Sequence, residues 1–209
     1  MAFVVALLGA ESTGKTTLSQ QLAEALRADG QRVAVVAEYL REFCERATRV
    51  PMQTEQAAIA AEQTRRIAVA AAEHEIVVAD TTALMIAVYS DLIFAETSLY
   101  DAALRDHARC DLTLLTALDI PWQPDGLQRE GPHVQGPVDA LIRAALQRGR
   151  IDHAVVAGSG EARSAAALSA VRYAMRSTND GPAAEPRWQW QCVHCGDTAC
   201  ERHGLLKLS

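Results

Sequence analysis

Five apolar runs punctuate the chain, at residues 3–9, 33–38, 76–80, 112–117 and 153–157. Each is short, continuous rather than alternating, and built from small or branched apolar residues. Such runs read as strands buried on both faces. Between them lie stretches with apolar residues at helical spacing, predicting helices over about 15–28, 53–74, 82–108, 137–149 and 161–176. In the first of these, Leu18, Leu22 and Leu26 share a face. Alternating strands and helices predict an α/β fold, a doubly wound parallel five-stranded sheet with helices on both faces. In that architecture ligands sit outside the carboxyl ends of the strands, so the residues that follow each strand are the ones to inspect.

After the first strand stands Gly9-Ala10-Glu11-Ser12-Thr13-Gly14-Lys15-Thr16-Thr17. Gly9, Gly14, Lys15 and Thr16 fill the G-x-x-x-x-G-K-[ST] phosphate-loop pattern, with a strand before it and a helix after it. Glycine lets the loop turn its backbone N–H groups toward a phosphate, and the helix N-terminus favours the same anion. Lys15 is placed to reach the outer phosphates of ATP, and the Thr16 hydroxyl to ligate Mg²⁺. Lys15 and Lys207 are the two lysines of the whole sequence, so Lys15 is not drawn from a lysine-rich surface.

The other strand ends converge on the same edge. Asp80 closes the third run as a Walker B-like acid for Mg²⁺, or as an N-cap for the helix that follows. Thr81 follows it where water-activating ATPases place a glutamate, which makes a motor or AAA-type ATPase the weaker expectation. Glu38 is a candidate to orient or deprotonate an acceptor hydroxyl, with a helix N-cap or solvated face as the plainer alternative. Arg41 would bind substrate oxygens or pair with Glu38, or simply be solvated. The stretch 119–133 holds prolines, Trp122, Asp125-Gly126 and Arg129, a composition suited to a flap over a phosphate site. Arg129 would then deliver charge to the transferring phosphoryl group. Trp122 and Asp125 would contact the acceptor, and Trp122 could equally anchor the loop. Gly158 and Arg163 follow the fifth strand, at an edge expected to border the nucleotide base, or belong to an ordinary glycine turn.

Composition narrows the field. With 209 residues there is room for one α/β domain and a small appendage, expected as a domain over 1–176, a linker over 177–187 and a Cys/His-rich tail over 188–209. A net charge of −6 leaves no electrostatic footprint for nucleic acid. No segment has the length of a membrane span, and the apolar start lacks the basic flank of a signal peptide, so a cytoplasmic protein without a membrane partner is expected. The tail contains Cys192, Cys195, Cys200 and His203, spaced C-x₂-C-x₄-C-x₂-H. Four such ligands suit a structural Zn²⁺; a packed tail with reduced thiols is the alternative. Spacing leaves the oligomeric state open.

Taken together, Gly-x-Glu-Ser-Thr-Gly-Lys-Thr, Glu38-Tyr39-x-Arg41-Glu42, Asp80-Thr81 and Asp119-Ile120-Pro121-Trp122-x-x-Asp125-Gly126-Leu127 resemble the ribosylnicotinamide-kinase domain of NadR-type proteins over about residues 1–175. The resemblance implies a P-loop kinase-like fold. It also implies ATP- and Mg²⁺-dependent phosphorylation of the 5′-hydroxyl of nicotinamide riboside, giving nicotinamide mononucleotide. Many such proteins carry an adenylyltransferase domain and a DNA-binding module upstream of this segment. On this reading Tyr39 and Trp122 offer flat surfaces to a pyridinium ring. The competing expectations are a kinase for another nucleoside or hydroxylated metabolite, and an ATP-binding regulatory module without kinase activity.

Overall fold

A computed structural model of the chain describes residues 2–123 and 131–179. The apolar runs form β1 (Phe3–Leu8), β2 (Val33–Val36), β3 (Ile76–Asp80), β4 (Leu112–Thr116) and β5 (Ala154–Val156). All pair in parallel, in the order β2, β3, β1, β4, β5. The register sets Val4 beside Val77 and Leu8 beside Leu115.

The helices are α1 (Lys15–Ala28), α2 (Tyr39–Ala47), α3 (Gln56–Glu73), α4 (Ala83–Phe94), α5 (Tyr100–His107), α6 (Gln135–Gly149) and α7 (Gly160–Asn179). On one face of the sheet, Leu8 and Leu115 pack under α4, α5 and α6 through Leu84, Val88, Leu104, Ile142 and Leu146. On the same face, Val4, Val36 and Val77 meet Ile67, Ala70 and Ala71 of α3. α1 covers the opposite face and buries Leu18, Leu22 and Leu26 to 1% exposure each. Each such leucine contributes on the order of 1.5–3 kcal/mol relative to an exposed one. Arg172 of α7 is tied to Asp29 at the end of α1 (2.6 Å).

Two helical expectations need correction. The segment expected as one helix over 82–108 is two, because Ala95 turns into the left-handed region (φ 52°). The Glu96 carboxylate then accepts from the Ser98 N–H (2.7 Å), making a turn before α5 begins. α2 has no counterpart among the expected helices. It is a polar helix that buries only Leu40 and Cys44, too thin an apolar stripe to show as periodicity. α3 also starts later than expected, after a 3₁₀ turn at Gln53–Glu55.

Residues Met1–Ala174 make one compact unit; of the second, Met175–Ser209, the described part is the end of α7. α7 runs to Asn179, past the expected start of the linker. Cys192, Cys195, Cys200 and His203 lie outside the described residues, so the zinc expectation does too. Among the described residues no helix is long and apolar enough to cross a membrane.

Candidate active site

The strand order puts β1 at the point where the chain stops adding strands on one side and starts on the other. A crevice opens there, flanked by the ends of β3 and β4. The loop after β1 occupies it. Gly9 (φ 152°), Ser12 (φ 56°) and Gly14 (φ 74°) carry the positive φ values that wrap the backbone inward. Gly14 caps α1 without a side chain, so the helix presents its positive end to the crevice. At Gly9 the fold requires glycine: a Cβ would stand 1.9 Å from Thr116 Oγ1. Thr116 is committed to that spot, sharing a hydrogen bond with Thr13 Oγ1 (2.7 Å) and donating to Leu8 O (3.2 Å). The Lys15 ammonium is held over the loop, donating to the carbonyls of Gly9 (2.9 Å) and Ala10 (2.8 Å).

Thr16 and Asp80, expected as Mg²⁺ ligands, lie side by side. The Thr16 hydroxyl donates to Asp80 Oδ2 (2.6 Å). Asp80 is 3% exposed, and its Oδ1 is buried with no hydrogen-bond partner among the described residues. A hydroxyl and a carboxylate with an oxygen to spare are hard oxygen donors, a set that fits Mg²⁺. Asp80 does not cap the next helix. Thr82 does that, accepting from the Leu84 N–H (3.3 Å). Between them Thr81 sits at φ 88°, a left-handed conformation that costs a β-branched residue about 1–3 kcal/mol.

A cleft of about 510 Å³ runs over this loop, within the size range of small-ligand sites. Ser12, Thr13, Gly14, Lys15, Thr16 and Thr17 line one wall; Glu38, Arg41 and Arg163 line the rest with Gln21, Ile120, Pro121, Gln123 and Gly160. Glu38 occupies the N-cap position of α2 but makes no side-chain cap bond. Its carboxylate lies 3.8 Å from Arg41 Nε and is only 17% exposed. Glu11 is buried beneath the loop, and its carbonyl accepts from Gln135 Nε2 (2.7 Å).

Arg163 is buried rather than solvated, at 5% exposure. Its guanidinium donates to Thr13 O (2.7 Å), Gly158 O (2.9 Å) and Asp119 Oδ1 (3.1 Å), so one side chain ties three loops together. The Gly158 N–H, and Arg163 after it, hold the Asp119 carboxyl below the usual carboxylate range. Gly158 contributes through these bonds and does not line the cleft.

Tyr39 and Trp122 are not among the lining residues. The Tyr39 ring instead carries the Arg66 guanidinium, 4.3 Å from its centroid, and its hydroxyl accepts from Arg46 (3.1 Å). Trp122 is half-buried, with its indole N–H unpartnered among the described residues. The start of the expected flap is pinned to the phosphate loop: Ser12 Oγ donates to Gln123 O (2.5 Å) and accepts from Gln123 N (3.1 Å). Asp125 and Arg129 lie outside the described residues.

The sequence reading did not pick out Gln63, Gln123, Gln135 or Thr116. All four act by bonding backbone or hydroxyls of segments distant in sequence, and carry no local signature.

A family profile described as AAA domain matches residues 4–163. The chain belongs to the AAA domain family. Among solved structures, the fold of this AAA domain is similar to a crystal structure of NadR protein in complex with NAD and AMP-PNP. Identity is 21% and the TM-score 0.68, over 90% of this chain and 52% of that one. A crystal structure of NadR protein in complex with NR is also similar, at 21% identity and TM-score 0.68, over 82% of this chain and 50% of that one. The chain thus spans about half the length of these structures. No curated protein matches it.

Proposed function

We propose that the chain is an ATP-dependent small-molecule kinase whose acceptor is nicotinamide riboside, phosphorylated at its 5′-hydroxyl. The observation that carries the reading is the one cleft lined by both the phosphate loop and the Glu38–Arg41 pair. Phosphate-binding groups and an acceptor-side carboxylate face one space. The NR and AMP-PNP held by the two NadR structures support it by analogy of fold.

In this mechanism the loop amides and Lys15 bind the outer phosphates. Thr16 and Asp80 would hold Mg²⁺, which supplies neutralising charge to the phosphate oxygens when bound. Glu38 orients the attacking hydroxyl and accepts its proton, while Arg41 keeps the carboxylate turned into the cleft. Arg163 fixes the loop through Thr13; Arg129, outside the described residues, would deliver charge to the transferring phosphoryl group, and Asp125 would contact the acceptor.

One observation favours a second acceptor. Tyr39 lies outside the cleft lining and carries the Arg66 cation against its ring, which disfavours it as the platform for a cationic pyridinium and leaves a kinase for an uncharged nucleoside as the alternative. Incubation with ATP–Mg²⁺ and nicotinamide riboside, other nucleosides or no acceptor, with mass spectrometry of the products, decides between them. Nicotinamide mononucleotide is the expected product. Its absence alongside another phosphorylated nucleoside supports the second reading, and ATP binding without any phosphorylated acceptor supports a regulatory module.

A further inference from the structure

We infer that Gln63 is a positioning residue that ties the segment carrying Glu38 to the strand end carrying Asp80; its effect on turnover rests on the kinase reading above. Gln63 projects from the middle of α3 and is fully buried. Three of the four hydrogen-bonding directions of its amide go to backbone of different segments. Oε1 accepts from the Tyr39 N–H (2.8 Å), immediately after Glu38. Nε2 donates to Ala37 O (3.3 Å), immediately before Glu38, and to Thr81 O (3.3 Å), immediately after Asp80.

Glu38 is therefore bracketed on both sides by one amide, and the same amide grips the residue beside the metal-binding acid. Only a primary amide carries an acceptor and two donors in one plane. The grip on Thr81 falls where the backbone is least content, at the positive φ of a β-branched residue. Such conformers persist where the surroundings over-determine them. β2 and β3 pair as far as Val36 and Ala79, and Gln63 bonds to both chains just beyond the end of that pairing.

The geometry points to a residue that sets how far the acceptor-orienting carboxylate stands from the phosphate site. A shift of this kind costs turnover while leaving in place the loop amides and Lys15 that bind the phosphates. The test is Gln63→Met, which keeps the volume and removes the amide, with Gln63→Glu as a second variant that keeps the acceptor for Tyr39. Riboside turnover should fall ~10- to 100-fold in Gln63→Met, while AMP-PNP affinity stays within about threefold. In a Glu38→Gln background, adding Gln63→Met should cost less than ~3-fold more, because the residue acts through Glu38. A merely structural role predicts additive losses, and additive losses, or equal losses of AMP-PNP affinity and turnover, overturn the proposal.

Amide hydrogen exchange separates this from the kinase reading and needs no variant to fold. In the wild-type protein the Tyr39 amide should be strongly protected, and Mg²⁺ with AMP-PNP should slow it together with the amides of residues 81–82. A fast-exchanging Tyr39 amide, or slowing at 81–82 with Tyr39 unchanged, overturns the tie whatever the acceptor is. A protein that shows the coupled protection but makes no nicotinamide mononucleotide keeps the tie and loses the riboside assignment.

Discussion

Acid should destabilise this protein well before its carboxylates titrate, through His107. The imidazole is 2% exposed and closes a hydroxyl relay, with Nδ1 against Thr82 Oγ1 (2.8 Å) and Nε2 against Thr113 Oγ1 (2.9 Å). Burial pushes its pKa from the ordinary 6.5 down to about 4. The folded state therefore needs the neutral ring, while the unfolded chain takes up a proton at pH 6.5. Stability from this group is full above pH 6.5 and is lost as pH falls from there toward 4. At 1.36 kcal/mol per unit, the loss reaches about 3 kcal/mol below pH 4 and about 2 kcal/mol at pH 5. Urea unfolding at constant ionic strength from pH 8 to pH 5, wild type against His107→Gln, isolates the effect because the other histidines cancel in the difference. Glu55 and Glu62 do not interfere, since arginine partners hold both near 2 and their ordinary value is 4.5. With a slope near 2 kcal/mol/M, the wild-type midpoint should fall by about 1 M urea more than the variant's. Parallel midpoints across that range would falsify the buried neutral histidine. Because Thr82 caps α4 two residues after Asp80, the same acid loss should loosen the segment that carries Asp80.

Three further outcomes follow from the site. Lys15→Ala should leave the fold intact by circular dichroism and lower turnover by ~10²-fold or more, since it deletes the charge aimed at the transferring phosphate; unchanged turnover removes the loop from the mechanism. Glu38→Gln should lower kcat ~10²-fold with little change in KM for ATP, and a normal kcat would take the residue out of proton transfer. Gly9→Ala should destabilise by about 1–3 kcal/mol and abolish AMP-PNP binding, because the new methyl meets Thr116 Oγ1 at 1.9 Å. Adding Thr116→Ala should recover part of both, and no recovery would place the fault in the backbone alone.

The phosphate loop was readable because its chemistry is local: glycines, lysine and threonine must follow a strand and open a helix within nine residues. Asp80 was readable for the same reason, as an acid at the end of an apolar run. Arg163 was nominated for its place after a glycine turn, but nothing near it announces that Thr13, 150 positions earlier, takes one of its bonds. Gln63 was invisible, as a glutamine in an alanine-rich helix is ordinarily solvent-facing. The arginine on Tyr39 was also invisible, because it comes from a neighbouring helix 27 positions further along the chain.

The sequence alone thus determined the strands, most helices, the parallel α/β class and the phosphate loop, since each is a pattern of adjacent residues whose period or spacing is the physical requirement. Only the tertiary structure decided the strand order that makes the crevice. It also decided the burial of Arg163 and His107, and the bonding of Gln63 to the backbone on either side of Glu38 and just after Asp80. Those features depend on which segments become neighbours. Hydrogen bonds between residues dozens of positions apart leave no periodic trace in the chain that makes them.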